Sequence, residues 1–330
     1  MSVDAIDWRE RVRRSRPQII AGAIIGIAAL FLAFRRVEWS GVSAALRQTR
    51  PSMIVVALLL VCVTLAVNTT RWWLLFAPEH RERNWFVLAA GILIGQTVNV
   101  AIPARLGELA RMVLVGTRER VSKTRVGATI VVEKVTDIAV FAVCVGFLLI
   151  EMTLPSWMTR SGTALAITAA ALVSAILILT FWSRSLLRLV EIIARRFPDR
   201  WSARLIAFSE AALSGLRSLR DWRAGLAIWI LAVAVLFFSI SVNYVLFAAL
   251  GLPLSPVAAV FLTAVLRVGE APPSLPGKVG LFQYLVIIAL AAFGVDRTSA
   301  LTYSLVLYAV AVIPVLIAGV ACMFAFRWSS

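Results

Sequence analysis

Apolar residues run along this chain in blocks of about one bilayer thickness, separated by short polar segments rich in arginine. Crossing the hydrocarbon core takes roughly 20 mostly apolar residues in a helix. Residues 18–34, 53–70, 127–150, 163–182, 226–250 and 301–322 approach or exceed that length and are predicted as six spanning helices. Two more apolar stretches, 85–115 and 257–293, are interrupted by proline and glycine near their middles. They are predicted as re-entrant helical hairpins. The expected fold class is therefore an all-α integral membrane protein, with the hairpins arranged in an inverted repeat.

Composition agrees, since 61% of the 330 residues are hydrophobic and 15% are charged, against an apolar share of about 45–50% in soluble domains. No small-residue cleavage site follows the first apolar run, so that run is expected to stay as an anchor. Cys62, Cys144 and Cys322 all lie in apolar runs without metal-ligand neighbours, which indicates neither a disulfide framework nor a metal site. No motif calls for a cofactor.

The formal charge of +16 is explained by topology. Five arginines fall in the first 17 residues and nine in 183–225, whereas 151–162 holds only Arg160 and 251–256 holds none. By the positive-inside rule both termini and the 183–225 segment are cytoplasmic. The four arginines of the 35–50 loop run against that rule. Leu186, Leu189, Val190 and Ile193 recur at helical spacing among arginines, the pattern of an amphipathic connector lying on headgroups. No basic stretch is interleaved with aromatics on a soluble domain, which excludes nucleic acid as the partner. The expected organisation is a basic N-terminus, 1–17, and one membrane domain, 18–330, with repeat one at about 53–150, the connector at about 183–225 and repeat two at about 226–322.

The repeat shows in IPARLGELAR, residues 102–111, and LPGKVGLFQY, residues 275–284. Both read aliphatic, proline, small, base, aliphatic, glycine, at an offset of 173. The same offset carries Met53 onto Leu226, Trp85 onto Ala258 and Gly127 onto Ala300, so a unit of span, broken hairpin and span is duplicated. Three crossings separate the two beginnings in the expected topology, which inverts the second unit. Transporters built this way hold substrate near the midplane, at broken helices.

Pro103, Gly107, Pro276, Gly277 and Gly280 should unwind the backbone at the two tips. Unwound backbone at membrane depth must be satisfied by protein or by a water-filled cavity. New helices start beside Glu108 and Leu281, and their N-termini favour anions. Arg105 and Lys278 add full positive charge there. Glu108 and Arg111 lie three residues apart, as do Arg267 and Glu270, and Glu133 and Asp137 four apart, each pair sharing a helix face. Glu133 and Asp137 are expected to meet Arg105, Arg111 or Lys134. Asn99 and Gln96 serve either as ligands or as interhelical hydrogen bonds. Arg71, followed by Trp72 and Trp73, reads as an interfacial anchor. His80, the single histidine, falls in a short polar loop.

RWWLLF, NVAIPARLGELAR, EKVTD and PSLPGKVGLFQY, in this order, resemble the transmembrane region of lysylphosphatidylglycerol synthases, a flippase-like family, over roughly residues 50–325. The resemblance implies a fold with re-entrant elements in an inverted arrangement. It carries Asn99, Pro103, Arg105, Gly107, Glu108 and Arg111 onto a first motif, Glu133 and Asp137 onto a second, and Pro276, Gly277 and Gly280 onto a third. That third motif usually reads PGG-x-G followed by a glutamate, and here Lys278 and Gln283 depart from it. The sequence closes at Ser330 without the soluble synthase domain of the bifunctional enzymes, so it reads as a stand-alone member and synthase activity is not expected.

The functional expectation is a lipid translocator in the cell membrane. Its substrate-binding candidates are Asn99, Arg105, Glu108, Arg111, Glu133, Asp137, Arg267, Glu270, Lys278 and Gln283. The expected partners are membrane lipids with an anionic or polyprenyl-phosphate-linked headgroup, and self-association into a homo-oligomer is left open. No G-x4-G-K-[ST] motif is present, so movement would be downhill or ion-coupled. No clear catalytic constellation is evident, so an enzyme is not expected. A lipid-headgroup enzyme and a non-transporting scaffold are the alternatives.

Overall fold

A computed structural model describes residues 28–34, 39–76, 82–101, 106–151, 221–269 and 276–327. Its helices are α1 (Trp39–Gln48), α2 (Pro51–Leu74), α3 (Trp85–Ala101), α4 (Gly107–Arg118), α5 (Lys123–Glu151), α6 (Trp222–Ala249), α7 (Pro256–Gly269), α8 (Leu281–Ala291), α9 (Arg297–Ala311) and α10 (Ile313–Arg327), with a 3-10 turn at Pro276–Lys278. Residues 28–34 are also helical, and no strand occurs among the described residues. The expected span at 163–182, most of the one at 18–34, and the connector up to residue 220 lie outside the described residues, as does His80.

Among the described residues, α2, α6 and the joined α9 and α10 are long and apolar enough to cross a membrane. Helix α5 has 29 residues but carries Glu133, Lys134 and Asp137 in its middle, which sets it apart from these three. The two broken stretches fold as helix pairs. Helices α3 and α4 flank the first tip, and α7 and α8 flank the second. At 14 and 11 residues, α7 and α8 fall short of the roughly 17–25 needed to cross. Shifting α2 to α5 by 173 residues brings their starts within two residues of those of α6 to α9. The duplicated order of long, short, short and long helices is thus present in the fold.

Hydroxyls inside these helices satisfy themselves. Thr64, Thr69 and Thr70 donate to the carbonyls of Leu60, Leu65 and Ala66, and Ser239 donates to Val235. Where lipid offers no hydrogen bonds, such back-bonding lets a polar residue occupy an apolar helix.

The chain forms two compact units. One gathers the described residues up to Leu58, those of Gln96–Gly107, and Asn243–Ala318. Within it α7 packs on α8, α8 on α9 and α9 on α1. A buried neutral network ties α6, α7 and α9 together. The Asn243 amide donates to Thr263 Oγ1 at 2.9 Å, and the Tyr303 hydroxyl donates to Asn243 Oδ1 at 2.9 Å. Such bonds, with small residues, hold helices together where no hydrophobic drive exists between them. The Arg50 N–H donates to the Ala249 carbonyl at 2.9 Å, so α2 starts where α6 ends.

The second unit holds the described residues of Leu59–Gly95, Glu108–Val242 and Gly319–Ser330. Trp72, Phe76, Leu88, Ile92, Val115 and Ile130 belong to its core. One rim is polar. Arg83 donates to the Glu119 carbonyl at 2.8 Å, the Asn84 N–H donates to the Glu119 carboxylate at 3.1 Å, and the Trp73 indole donates to the Arg83 carbonyl at 3.1 Å. These bonds join the start of α3, the end of α4 and the end of α2.

Asp296 caps α9 by accepting the Ser299 N–H at 3.0 Å. That hydrogen bond holds the carboxyl below its ordinary pKa. A lowered carboxylate contributes stability above its unfolded value and loses it as pH falls through the folded one. Asp296→Ala should lower stability by about 1 kcal/mol or less at neutral pH. The deficit should vanish in acid, as read from thermal unfolding in detergent across a pH series.

Candidate functional site

Three charged candidates of the first repeat, Arg111, Glu133 and Asp137, converge in the second unit. Helix α4 turns Arg111 inward, where it is 6% exposed. Its guanidinium lies 4.0 Å from the Trp72 ring centroid and donates to both oxygens of Glu133, at 2.7 and 3.4 Å. Trp72 is itself fixed by its indole N–H, which donates to Thr129 Oγ1 at 3.1 Å. Arg111 is thus held on one face by an aromatic quadrupole and at its edge by a carboxylate.

Glu133 is shared. Arg71, 1% exposed, approaches it at 3.6 Å and pairs with Asp137 at 2.5 Å. Arg71 also donates to Asn68 Oδ1 at 2.9 Å. Four charged side chains from α2, α4 and α5 form one neutral network. Its least buried member is Asp137, with a side chain 26% exposed. The Nε atoms of Arg71 and Arg111 are buried without a hydrogen-bond partner.

Of the expected pairings, that of Glu133 with Arg111 forms, and Glu108 approaches Lys134 at 3.8 Å on the half-exposed side of the site. Asp137 meets Arg71, which is no interfacial anchor but a buried part of the site. Trp72 is wholly buried as well. The RWW stretch gave the wrong signal because a base and two tryptophans in the last turn of a span look alike whether lipid or protein covers them.

At the first tip, Pro103 and Arg105 lie outside the described residues. Gly107 opens α4, and its N–H donates to Asn99 Oδ1 at 2.8 Å. Asn99 therefore caps the helix after the tip. Gln96 is exposed on α3.

At the second tip, Pro276, Gly277 and Lys278 make the 3-10 turn, while Glu270 lies outside the described residues and Arg267 is half-buried in the last turn of α7. Gly277, Lys278 and Gly280 have φ of 76°, 55° and 88°. The left-handed region suits glycine and costs an L residue roughly 1–2 kcal/mol. Gln283 is buried, and its Oε1 accepts the Gly280 N–H at 2.7 Å. Tyr308, on α9, donates to the Gly277 carbonyl at 2.8 Å. Tyr308 and Arg71 are the residues that sequence reasoning missed. Among the described residues, no group of three His, Cys, Asp or Glu side chains converges as metal ligands would.

An all-helical arrangement with membrane-capable helices and a buried ion network defines an integral membrane protein. This chain belongs to the family of the lysylphosphatidylglycerol synthase transmembrane region, whose model matches residues 19–319. Among curated proteins it is similar to glycosyltransferase AglD of Haloferax volcanii, with 25% identity over 346 residues. That match covers 96% of this chain and 55% of the relative, so the chain spans about half the relative's length. No solved structure matches it.

Removing one member of a buried ion pair strands the other, at a cost of about 3–5 kcal/mol. Arg71→Leu should therefore strongly destabilise the protein. Arg71→Leu combined with Asp137→Leu should recover part of the loss, because one stranded charge is gone. Thermal unfolding of the single and double variants in detergent checks this, and additive losses would show that the two groups do not act as a pair.

Proposed function

We propose that this protein moves lipids with an anionic headgroup, a phospholipid or a polyprenyl-phosphate-linked species, between the leaflets of the cell membrane. The headgroup passes through a hydrated cavity near the midplane while the tails stay in the bilayer. The observation that carries this reading is the network of Arg71, Arg111, Glu133 and Asp137. Charges kept inside an apolar bundle mark polar pathways, and this chain's family is named for a membrane lipid.

The hydrogen bonds support the topology this needs. The start of α3 and the end of α4 meet at one rim through Arg83, Asn84 and Glu119, as a hairpin returning to its own side requires. Helix α2 starts beside the end of α6, which supports crossings in opposite senses, as an inverted repeat needs. Arg105 and Lys278, the bases the sequence places at the two tips, are the groups that meet the phosphate. Asp137 is the least buried carboxylate of the network, its side chain 26% exposed, and it serves as the coupling element for an ion or proton.

The name of the relative, a glycosyltransferase, favours a second reading, an enzyme acting on a lipid headgroup. One experiment separates the two. Wild type and Arg105→Ala/Lys278→Ala are reconstituted in liposomes, and the exposure of labelled anionic lipids is followed with a membrane-impermeant quencher. We expect fast exposure in wild type and background in the variant, with thermal unfolding no lower than that of wild type. Background signals from both proteins with every lipid would overturn the translocator. Mass-spectrometric detection of a modified lipid after adding nucleotide sugars would support the enzyme.

A further inference from the structure

Under the 173-residue offset, the Arg71, Arg111, Glu133 and Asp137 positions of repeat one become Tyr244, Tyr284, Val306 and Val310 in repeat two. Every member of the ion network is replaced by an uncharged residue. Between residues 53 and 150 the single position at which the offset pairs base with base is Arg105 with Lys278; upstream of the first span it also pairs Arg47 with Arg220 and Arg50 with Arg223. Within the two spans and hairpins, the tip base is common to both repeats and the charges around it are not.

Lys278 is kept there against its backbone preference, with φ at 55°. Arg120, the other described non-glycine residue with positive φ, at 52°, needs no such account. It ends α4, with the Val121 N–H donating to the Gly116 carbonyl, which is an ordinary left-handed helix ending. Lys278 instead sits between two fastenings. On one side, Tyr308 Oη holds the Gly277 carbonyl at 2.8 Å. On the other, Gln283 holds the Gly280 N–H at 2.7 Å. The Tyr308 ring is braced edge-on against Phe282, with centroids 5.5 Å apart. The hydroxyl also comes so close that a Cβ on residue 277 would sit 2.8 Å from it. Strain in a non-glycine residue persists where its surroundings over-determine it, and such residues cluster at ligand sites.

We infer that Tyr308 is a positioning residue, which by gripping the Gly277 carbonyl fixes Lys278 as the group that selects lipids by headgroup charge. The inference rests on the translocator reading and adds a specificity element to it. The ligand chemistry is a phosphate monoanion without a compensating ammonium, as in phosphatidylglycerol, preferred over a zwitterion such as phosphatidylcholine.

The test compares wild type, Lys278→Ala, Tyr308→Phe and the double variant in liposomes. The quantity read is the ratio of phosphatidylglycerol to phosphatidylcholine movement. Each single change should reduce the ratio roughly three- to tenfold, the scale of one charge-assisted contact. The double variant should fall no further, because both act through one group. An unchanged ratio in Tyr308→Phe, or losses that multiply in the double variant, overturns the inference.

Lys278→Gly is the second variant. Relieved of strain, it should unfold at a higher temperature than wild type while losing selectivity as Lys278→Ala does. A lower unfolding temperature overturns the strained-lysine argument. Thermal unfolding in detergent with each lipid added reads binding without movement. If wild type moves neither lipid, the translocator reading fails. The inference then survives only if phosphatidylglycerol stabilises wild type more than phosphatidylcholine does and Tyr308→Phe abolishes that difference. Equal stabilisation of wild type by the two lipids sinks it.

Discussion

The carboxylate of Glu133, shut from water between Arg111 and Arg71, constrains everything packed around it. An ionised carboxylate in an apolar interior is prohibitive alone and tolerable only when paired and hydrogen-bonded. Its partners come from α4 and α2, so neither helix can slide or rotate on α5 without baring a charge. Asp137, one turn further along α5, neutralises the second arginine. Trp72 and Thr129 then fix the ring on which Arg111 lies. A hydrophobic replacement of similar volume would hold the helices as well or better. The network is therefore better understood as setting one arrangement of three helices than as the source of their stability.

The second repeat solves the same packing problem without charge. Helices α6 and α9, the counterparts of α2 and α5, are joined through Asn243 and Tyr303, with Thr263 of α7 completing the set. The first and last helices of each unit are thus linked by a polar contact in both repeats, ionic in one and neutral in the other. Amide and hydroxyl groups thus suffice to join the corresponding helices of repeat two.

Much of this plan was legible in the sequence. Proline and glycine at 103, 107, 276, 277 and 280 predicted two breaks, and helices flank both. The 173-residue offset predicted the duplicated order, because motif and hydropathy blocks shift together. The pairing of charges was legible in part. The Glu133 partner Arg111 was among those expected, but helical spacing shows only which residues share a face, and which helix lies opposite is a tertiary matter, so Asp137 found Arg71 instead. Arg71 was misread for the same reason, since its burial depends on α5 covering the last turns of α2. Tyr308 left no signal, being an aromatic residue in an apolar helix 31 positions from its partner.

The second tip brings two separate electrostatic and conformational terms to bear on one residue. Helix α8 begins at Leu281, so its positive dipole end faces the turn that carries Lys278, and a cation there is disfavoured. Gln283 satisfies one of the N–H groups near that end, and further donors of the first turn remain to be met from outside the helix. The left-handed backbone disfavours lysine independently. Both terms act on the same residue, so the turn is held by its fastenings to Tyr308 and Gln283 rather than by the preference of Lys278 itself.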